Sequence, residues 1–258
     1  MGIDFQNDKN RITYTTRIAD GSWKEAIKEL VPVHNITKAL EIGCGGGIYL
    51  KALADMGIPS VTGVDFSDTI LEGAKENCKD NKAINLKKGN ALATNLEENS
   101  FDLIVERALI HHIDDLRACF KESYRLLEDD GHFIIQERTP EDCLIEPSDF
   151  HLRGYFFKLF PRLIEIETKR RPTSKKVIEI LTEIGFKEIK EITLWEIRKS
   201  YENKQQLLND LRKRTGRSIL HELNDKELQL LIEYMDRSIK INGNIVEKDR
   251  WTIWKARK

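Results

Sequence analysis

Between Ala39 and Gly47 the chain reads Ala-Leu-Glu-Ile-Gly-Cys-Gly-Gly-Gly, an apolar strand that breaks into glycines and leads into the apolar residues Ile48, Tyr49 and Leu50. A strand that turns through glycine into a helix is the way an open α/β sheet makes room for a nucleotide-like ligand at its edge. Gly43, Gly45 and Gly47 let the backbone approach a ligand with no Cβ in the way, and the amides of the following helix point into the same space. A second strand, Ser60-Val61-Thr62-Gly63-Val64-Asp65, ends on a carboxylate that can accept hydrogen bonds from both hydroxyls of a ribose. Strand and helix patterns alternate from about residue 38 to residue 137, which predicts a parallel sheet with helices on both faces.

Spacing narrows the ligand. Counting a dinucleotide fingerprint from Gly43 puts Ile48 at the third glycine, and counting from Gly45 puts Leu50 there, so helix packing over a pyrophosphate is not encoded. The phosphate loop GxxxxGK[ST] is absent. What remains is GxGxG after a strand carrying Glu41, with Asp65 closing the next strand.

These residues resemble class I S-adenosylmethionine-dependent methyltransferases, in particular the small-molecule branch that includes ubiquinone and menaquinone biosynthesis enzymes. Glu41 to Gly47 is similar to the family's first motif, Val64-Asp65-Phe66-Ser67 to its ribose-binding second, and Gly89-Asn90-Ala91 to its adenine-contacting third. Phe101 to His112 resembles the fourth strand with its loop, and Leu127 to Ile135 the turn into the fifth. Asn90 stands where the family usually has aspartate; an amide still accepts from an adenine amino group, with weaker recognition.

The resemblance implies a doubly wound, Rossmann-like α/β fold with a seven-stranded, mostly parallel sheet, a final antiparallel strand and helical cap insertions. It divides the chain into an N-terminal helical cover (1–36), a cofactor-binding core (37–139), a lid or insert (140–173) and a C-terminal part (174–258) with a cap insertion at about 200–244. It also implies S-adenosylmethionine as cofactor, with Glu41, Gly43, Cys44, Gly45 and Gly47 around the turn and Asp65 on the ribose. Phe66, Asn90 and Ala91 are expected near the adenine, and Glu106 and Arg107 at the end of the fourth strand. Tyr14 and Arg17 are expected to fold over the cofactor's carboxylate end. His111 and His112, the titratable pair in the loop after the fourth strand, are the candidates for a general base. No metal ligands are expected.

The rest of the chain is read by period. Ser67, and Asp114 or Asp115, are placed to cap helices, and Asn224 with Glu227 reads as a capping box. Phe150, Tyr155, Phe156, Phe157 and Phe160 form an aromatic segment between Pro140 and Pro172. A helix from Ser174 to Gly185 precedes a sixth strand at Phe186 to Ile197. Helices carrying Leu207, Leu208, Leu211 and Leu228, Leu231, Ile232, Met235 precede a last strand at Trp251 to Ala256. The run Lys169-Arg170-Arg171 with Lys175-Lys176 reads as a solvated helix entry. The cluster Arg212-Lys213-Arg214 with Arg217 either faces inward, toward an anionic group, or outward.

With 42 Lys and Arg against 43 Asp and Glu, the net charge of −1 gives no global field toward nucleic acid or an anionic membrane. The loop after the fourth strand lacks the Pro-Pro-aromatic turn of enzymes that methylate base amines, and no Pro-Cys pair is present. Four cysteines without CxxC spacing favour reduced thiols in a cytoplasm, and neither a leader nor a membrane-spanning run is expected. The expected function is methyl transfer to a small, partly apolar acceptor, mainly by positioning and desolvation, with no nucleic acid and no membrane insertion. Two alternatives stay open at this point: an NAD(P)-dependent oxidoreductase, and a cofactor-binding regulatory module without turnover.

Overall fold

Strand alternation sorts the apolar residues into two layers. The structure, a computed structural model, describes residues 18–214, 216–241 and 243–258; Tyr14 and Arg17 lie outside the described residues. In chain order the elements are α1 (Gly21–Leu30), β1 (Lys38–Ile42), α2 (Ile48–Asp55), β2 (Ser60–Asp65), α3 (Asp68–Cys78), β3 (Ile84–Lys88), β4 (Phe101–Arg107), α4 (Leu116–Leu126), β5 (Leu127–Glu137), α5 (Pro140–Cys143), α6 (Gly154–Leu159), α7 (Arg162–Lys169), α8 (Ser174–Ile184), β6 (Lys187–Tyr201), α9 (Lys204–Arg212), α10 (Asp225–Ser238) and β7 (Ile245–Arg257). The seven described strands order as β3-β2-β1-β4-β5-β7-β6. The pairs β1–β2, β1–β4, β2–β3 and β4–β5 are parallel, while β7 runs antiparallel to β5. This is the parallel arrangement that the alternation predicts, and the doubly wound, mostly parallel Rossmann-like sheet with a reversed last strand that the resemblance implies.

The larger of two units takes the described residues up to Glu137 together with Pro172–Leu194 and Thr252–Lys258. Successive residues of a strand point to opposite faces. Leu40 and Ile42 of β1, Ile104 of β4 and Phe133 and Ile135 of β5 therefore pack with Phe120 of α4 and Val177 and Leu181 of α8. Ala39, Leu103, Val105 and Ile134 pack on the other face with Trp23 and Ile27 of α1 and Leu50 and Leu53 of α2. Helix starts follow the expected caps: Ser67 accepts from the Ile70 amide and Asp115 from the Ala118 amide. Gly185 closes α8 in the left-handed conformation.

The smaller unit takes Arg138–Arg171 and Trp195–Trp251. Its core joins Leu152, Phe156 and Phe157 to Leu207, Leu211, Leu228, Leu231, Ile232 and Met235, and the Asn224–Glu227 capping box starts α10. β7 begins at Ile245, well before the expected Trp251, for a physical reason. The inward positions of its first half are Ile245, Glu247, Asp249 and Trp251, all buried. Two of these four are carboxylates, so the apolar alternation that signals a strand is broken there. The basic run also departs from expectation: Arg171 is buried, with its guanidinium on Glu167. Arg217 faces inward, donating to Asp210 at 2.7 Å, Glu247 at 2.7 Å and the Tyr201 hydroxyl at 2.9 Å.

Among the described residues no helix is long and apolar enough to cross a membrane, and no group of three or more His, Cys, Asp or Glu side chains is placed to hold a metal ion.

Candidate functional site

The turn after β1 is fastened to β2 by backbone alone: the amides of Gly43 and Cys44 both donate to the Val64 carbonyl, at 2.8 and 3.0 Å. Gly43, Gly45 and Gly47 all have positive φ, at 75°, 52° and 78°, which only glycine adopts without strain. Space reinforces this at Gly47, where an added Cβ would lie 2.5 Å from the Cys78 sulfur. The Asn77 side chain donates to the Gly46 carbonyl at 2.7 Å, so α3 also holds the turn. Cys44 is buried within it, and its thiol is pushed well up by burial.

Asp65 closes β2 against this turn. One carboxylate oxygen accepts from the Gly45 amide and the other from the Ser67 amide, each at 3.0 Å. Burial raises its pKa, and those same amides, with that of Phe66, oppose the rise. A carboxylate has about four lone-pair positions, so two such bonds leave capacity for a diol. Phe66, the next residue, is half exposed. Asn90 is exposed and its Oδ1 accepts from the Leu92 amide at 2.9 Å, while Ala91 is partly buried.

Glu41 is buried with its Oε2 lacking any hydrogen-bond partner. Burial pushes its pKa well up; the Arg107 guanidinium opposes this and Asp65 adds to it. In the sheet Glu41 pairs with Val105, which puts Arg107 two residues further along the same face. Arg107 lies over the Tyr49 ring at 4.1 Å, and its Nε donates to Gln136 at 3.1 Å. The Trp23 indole donates to the same Gln136 oxygen at 2.7 Å.

Alternation sends Glu106 to the opposite face, into the α4 layer. There it is buried, with one oxygen accepting from the Ser123 hydroxyl at 2.7 Å and facing the Cys119 thiol at 3.5 Å. Burial raises it to about 7. His111 lies on this α4 side as well, its Nδ1 2.6 Å from Oε2 of the buried Glu137 at the end of β5. The His112 ring lies 3.9 Å from that of His111 and is exposed.

The structure therefore brings Glu41, the glycine turn, Asp65 and Arg107 together, and sets Glu106, His111 and His112 on the other layer. Sequence reasoning missed Trp23, Tyr49, Gln136 and Glu137. The last two are polar residues closing an otherwise apolar strand beside the end of β4, a signal present in the sequence.

Residues 40–135 match the family described as "Methyltransferase domain". Over 119 residues the chain is 32% identical to a demethylmenaquinone methyltransferase of Staphylococcus aureus, a match covering 45% of this chain and 49% of that protein. The chain thus spans about half the length of the curated relatives it matches. A putative methyltransferase from an antibiotic biosynthesis pathway of Anabaena variabilis superposes with a TM-score of 0.72 at 21% identity, covering 93% of this chain and 98% of that one. The phosphoethanolamine N-methyltransferase 2 of Haemonchus contortus, in complex with S-adenosyl-L-methionine, gives 0.61 at 20% identity, covering 99% of this chain and 60% of that one. At these identities the two structures show the fold. None of these likenesses supports the dinucleotide alternative.

Proposed function

We propose that the chain, whose residues 40–135 match the methyltransferase-domain family, transfers a methyl group from S-adenosylmethionine to a small, partly apolar acceptor. One observation carries this reading: the buried Glu41 oxygen without a partner, at the end of β1 beside the glycine turn and the Asp65 carboxylate. A buried carboxylate oxygen left bare costs free energy that a cationic donor offsets, and the α-ammonium of a methionine moiety is such a donor. No such donor belongs to a nicotinamide dinucleotide.

In this reading Asp65 accepts from the ribose hydroxyls with its remaining lone pairs, while Gly43, Cys44, Gly45 and Gly47 form the backbone wall. Phe66 lies on the adenine, Asn90 and Ala91 border it, and Arg107 balances the charge of Glu41 near the ligand's carboxylate. Glu106 supports the end of β4 from the core side. The sulfonium supplies an already electrophilic methyl, so the protein's work is alignment, exclusion of water and, for an acceptor that must lose a proton, a base. His111 fits that last role. A carboxylate at Nδ1 keeps the proton there and leaves the lone pair on Nε2, the tautomer a base needs. His112 stacks beside it as the second candidate. A cytoplasmic location fits four free, buried cysteines.

Calorimetric titration with S-adenosylhomocysteine and NADH side by side tests the reading. Micromolar binding of the first and none of the second is expected; the reverse would overturn it. Transfer of labelled methyl from the cofactor into a metabolite extract separates an enzyme from a regulatory module.

A further inference from the structure

From α1 one side chain reaches the carboxyl ends of the central strands. The Trp23 indole, fully buried, donates to Oε1 of Gln136 at 2.7 Å, and the Arg107 Nε donates to the same oxygen at 3.1 Å. Gln136 is fully buried as well and stands opposite Arg107 in the register of β4 with β5. The Trp23 ring also meets the Tyr49 ring edge-on, with centroids 4.8 Å apart, and the Arg107 guanidinium lies over that same Tyr49 ring at 4.1 Å. Tyr49 belongs to the first turn of α2, directly after the glycine turn. All of these residues belong to the larger unit.

A buried indole N–H needs an acceptor, and any backbone carbonyl would serve. Here the acceptor is a side-chain oxygen shared with a guanidinium, its two lone pairs matched to two donors. The long side chain of Arg107 is thereby fixed at its Nε by the amide and across its plane by an aromatic ring, and a charged group acts on a ligand only when its rotamer is locked by what packs around it. The charge so fixed is felt at Glu41. Burial raises the Glu41 carboxyl, and the Arg107 guanidinium is the largest influence against that rise. A carboxylate receives a cation better as an ion than as a neutral acid, so the bare Oε2 of Glu41 depends on Arg107 staying where it is.

We propose that Trp23 and Gln136 are positioning residues for the amino-acid end of the cofactor: with the Tyr49 ring they fix the Arg107 guanidinium beside Glu41, which receives the α-ammonium. The proposal rests on the methyl-transfer reading of the site. It separates the two ends of the ligand, because the ribose end is held by Asp65 and the glycine turn, whose bonds run to the backbone of β2 and α3 and not to α1.

The test compares two ligands in calorimetry on the full-length chain: S-adenosylhomocysteine, and methylthioadenosine, which keeps the nucleoside and the sulfur and lacks the amino acid. In Gln136→Leu the first is expected to bind at least about tenfold more weakly, and the second within about twofold of the parent. Trp23→Phe keeps a ring against Tyr49 and removes the N–H; it should show the same selective loss at about threefold, and it serves alone if the leucine variant does not fold. Where methylthioadenosine is too weak for direct titration, its displacement of S-adenosylhomocysteine gives the affinity. In an Arg107→Met background Gln136→Leu should cost nothing further, since the residue through which it acts is gone. Equal weakening of both ligands would mean that Trp23 and Gln136 only hold the fold, and overturns the proposal. So does parent-like affinity for S-adenosylhomocysteine, or a further selective loss in the Arg107→Met background. Failure of the parent itself to bind S-adenosylhomocysteine sinks the methyl-transfer reading, and the proposal with it, so the two failures are told apart.

Discussion

Replacing Glu106 by glutamine should make the protein more stable above neutral pH and leave it almost unchanged near pH 5. Glu106 is completely buried, one oxygen accepts from Ser123, and the other has no partner. Burial holds its pKa at about 7. In the unfolded chain it ionises in the ordinary glutamate range, so between there and pH 7 the unfolded state binds fewer protons than the native one. Stability then falls as pH rises, by about 1.4 kcal/mol per pH unit. The loss is complete above about pH 7.5 and amounts to roughly 3 kcal/mol. Glutamine mimics the protonated acid, keeps the acceptor for Ser123 and cannot ionise. Urea unfolding of parent and Glu106→Gln at half-unit steps from pH 5 to 8.5 should give curves that coincide at the acid end and separate by about 3 kcal/mol at the alkaline end. The burial of Glu41 acts in the same direction in both proteins and cancels in the difference. Parallel curves, or a glutamine variant less stable at pH 8.5, would show that Glu106 is not held protonated and refute the account of the α4 layer.

Gly47→Ala forces a left-handed alanine and drives its Cβ toward the Cys78 sulfur. Backbone strain of about 1–2 kcal/mol and overpacking of about 1–3 kcal/mol should appear in urea unfolding. Adding Cys78→Ala should recover the packing share only; recovery of the whole loss would mean the backbone conformation is unstrained. Asp65→Ala removes the acceptor for the Gly45 and Ser67 amides and should weaken S-adenosylhomocysteine binding by about 1 to 3 kcal/mol in calorimetry. Parent-like affinity would misplace the ribose. Glu137→Gln removes the anionic partner of His111; for an acceptor that must be deprotonated, kcat should drop by about tenfold or more with cofactor affinity preserved. An unchanged kcat would remove His111 from the chemistry.

The sheet was legible because its strands are short apolar runs that alternate with helical patterns. Apart from Glu41, Ala39 to Ile42 and Leu103 to Val105 are apolar on both faces, and glycine marks the turn that follows the first of them. The first half of β7 was not legible. Glu247 and Asp249 look like surface residues until Arg217 and Arg153 are seen beside them. The partners of a buried charge lie far away in sequence, so no local pattern announces it. The same holds within the site. Glu41 and Asp65 stand out as acids closing apolar strands, whereas the split between Glu106 and Arg107 follows from which face each occupies. That parity becomes assignable only when the register of β4 against β1 and β5 is fixed.

Glu41, Asp65, Glu106 and Glu137 all lie at the carboxyl ends of parallel strands, the edge at which ligands bind in open α/β sheets. Position alone would make them equivalent, and their partners make them different. Two backbone amides fix the orientation of Asp65 and leave it able to accept more. Glu41 keeps a bare oxygen in the field of Arg107. Glu106 has only Ser123 and a thiol for company and is driven toward its neutral form. Glu137 meets an imidazole at 2.6 Å. Glu106 faces the α4 layer with no guanidinium beside it, and an acid committed to histidine cannot bind a diol. In the proposed reading binding falls to Glu41 and Asp65 and proton handling to Glu137 with His111, while Glu106 packs the strand end against α4. Exchanging roles would require moving the partners: Ser123 of α4, His111 and the Gly45 and Ser67 amides of the loops, and Arg107 at the end of β4.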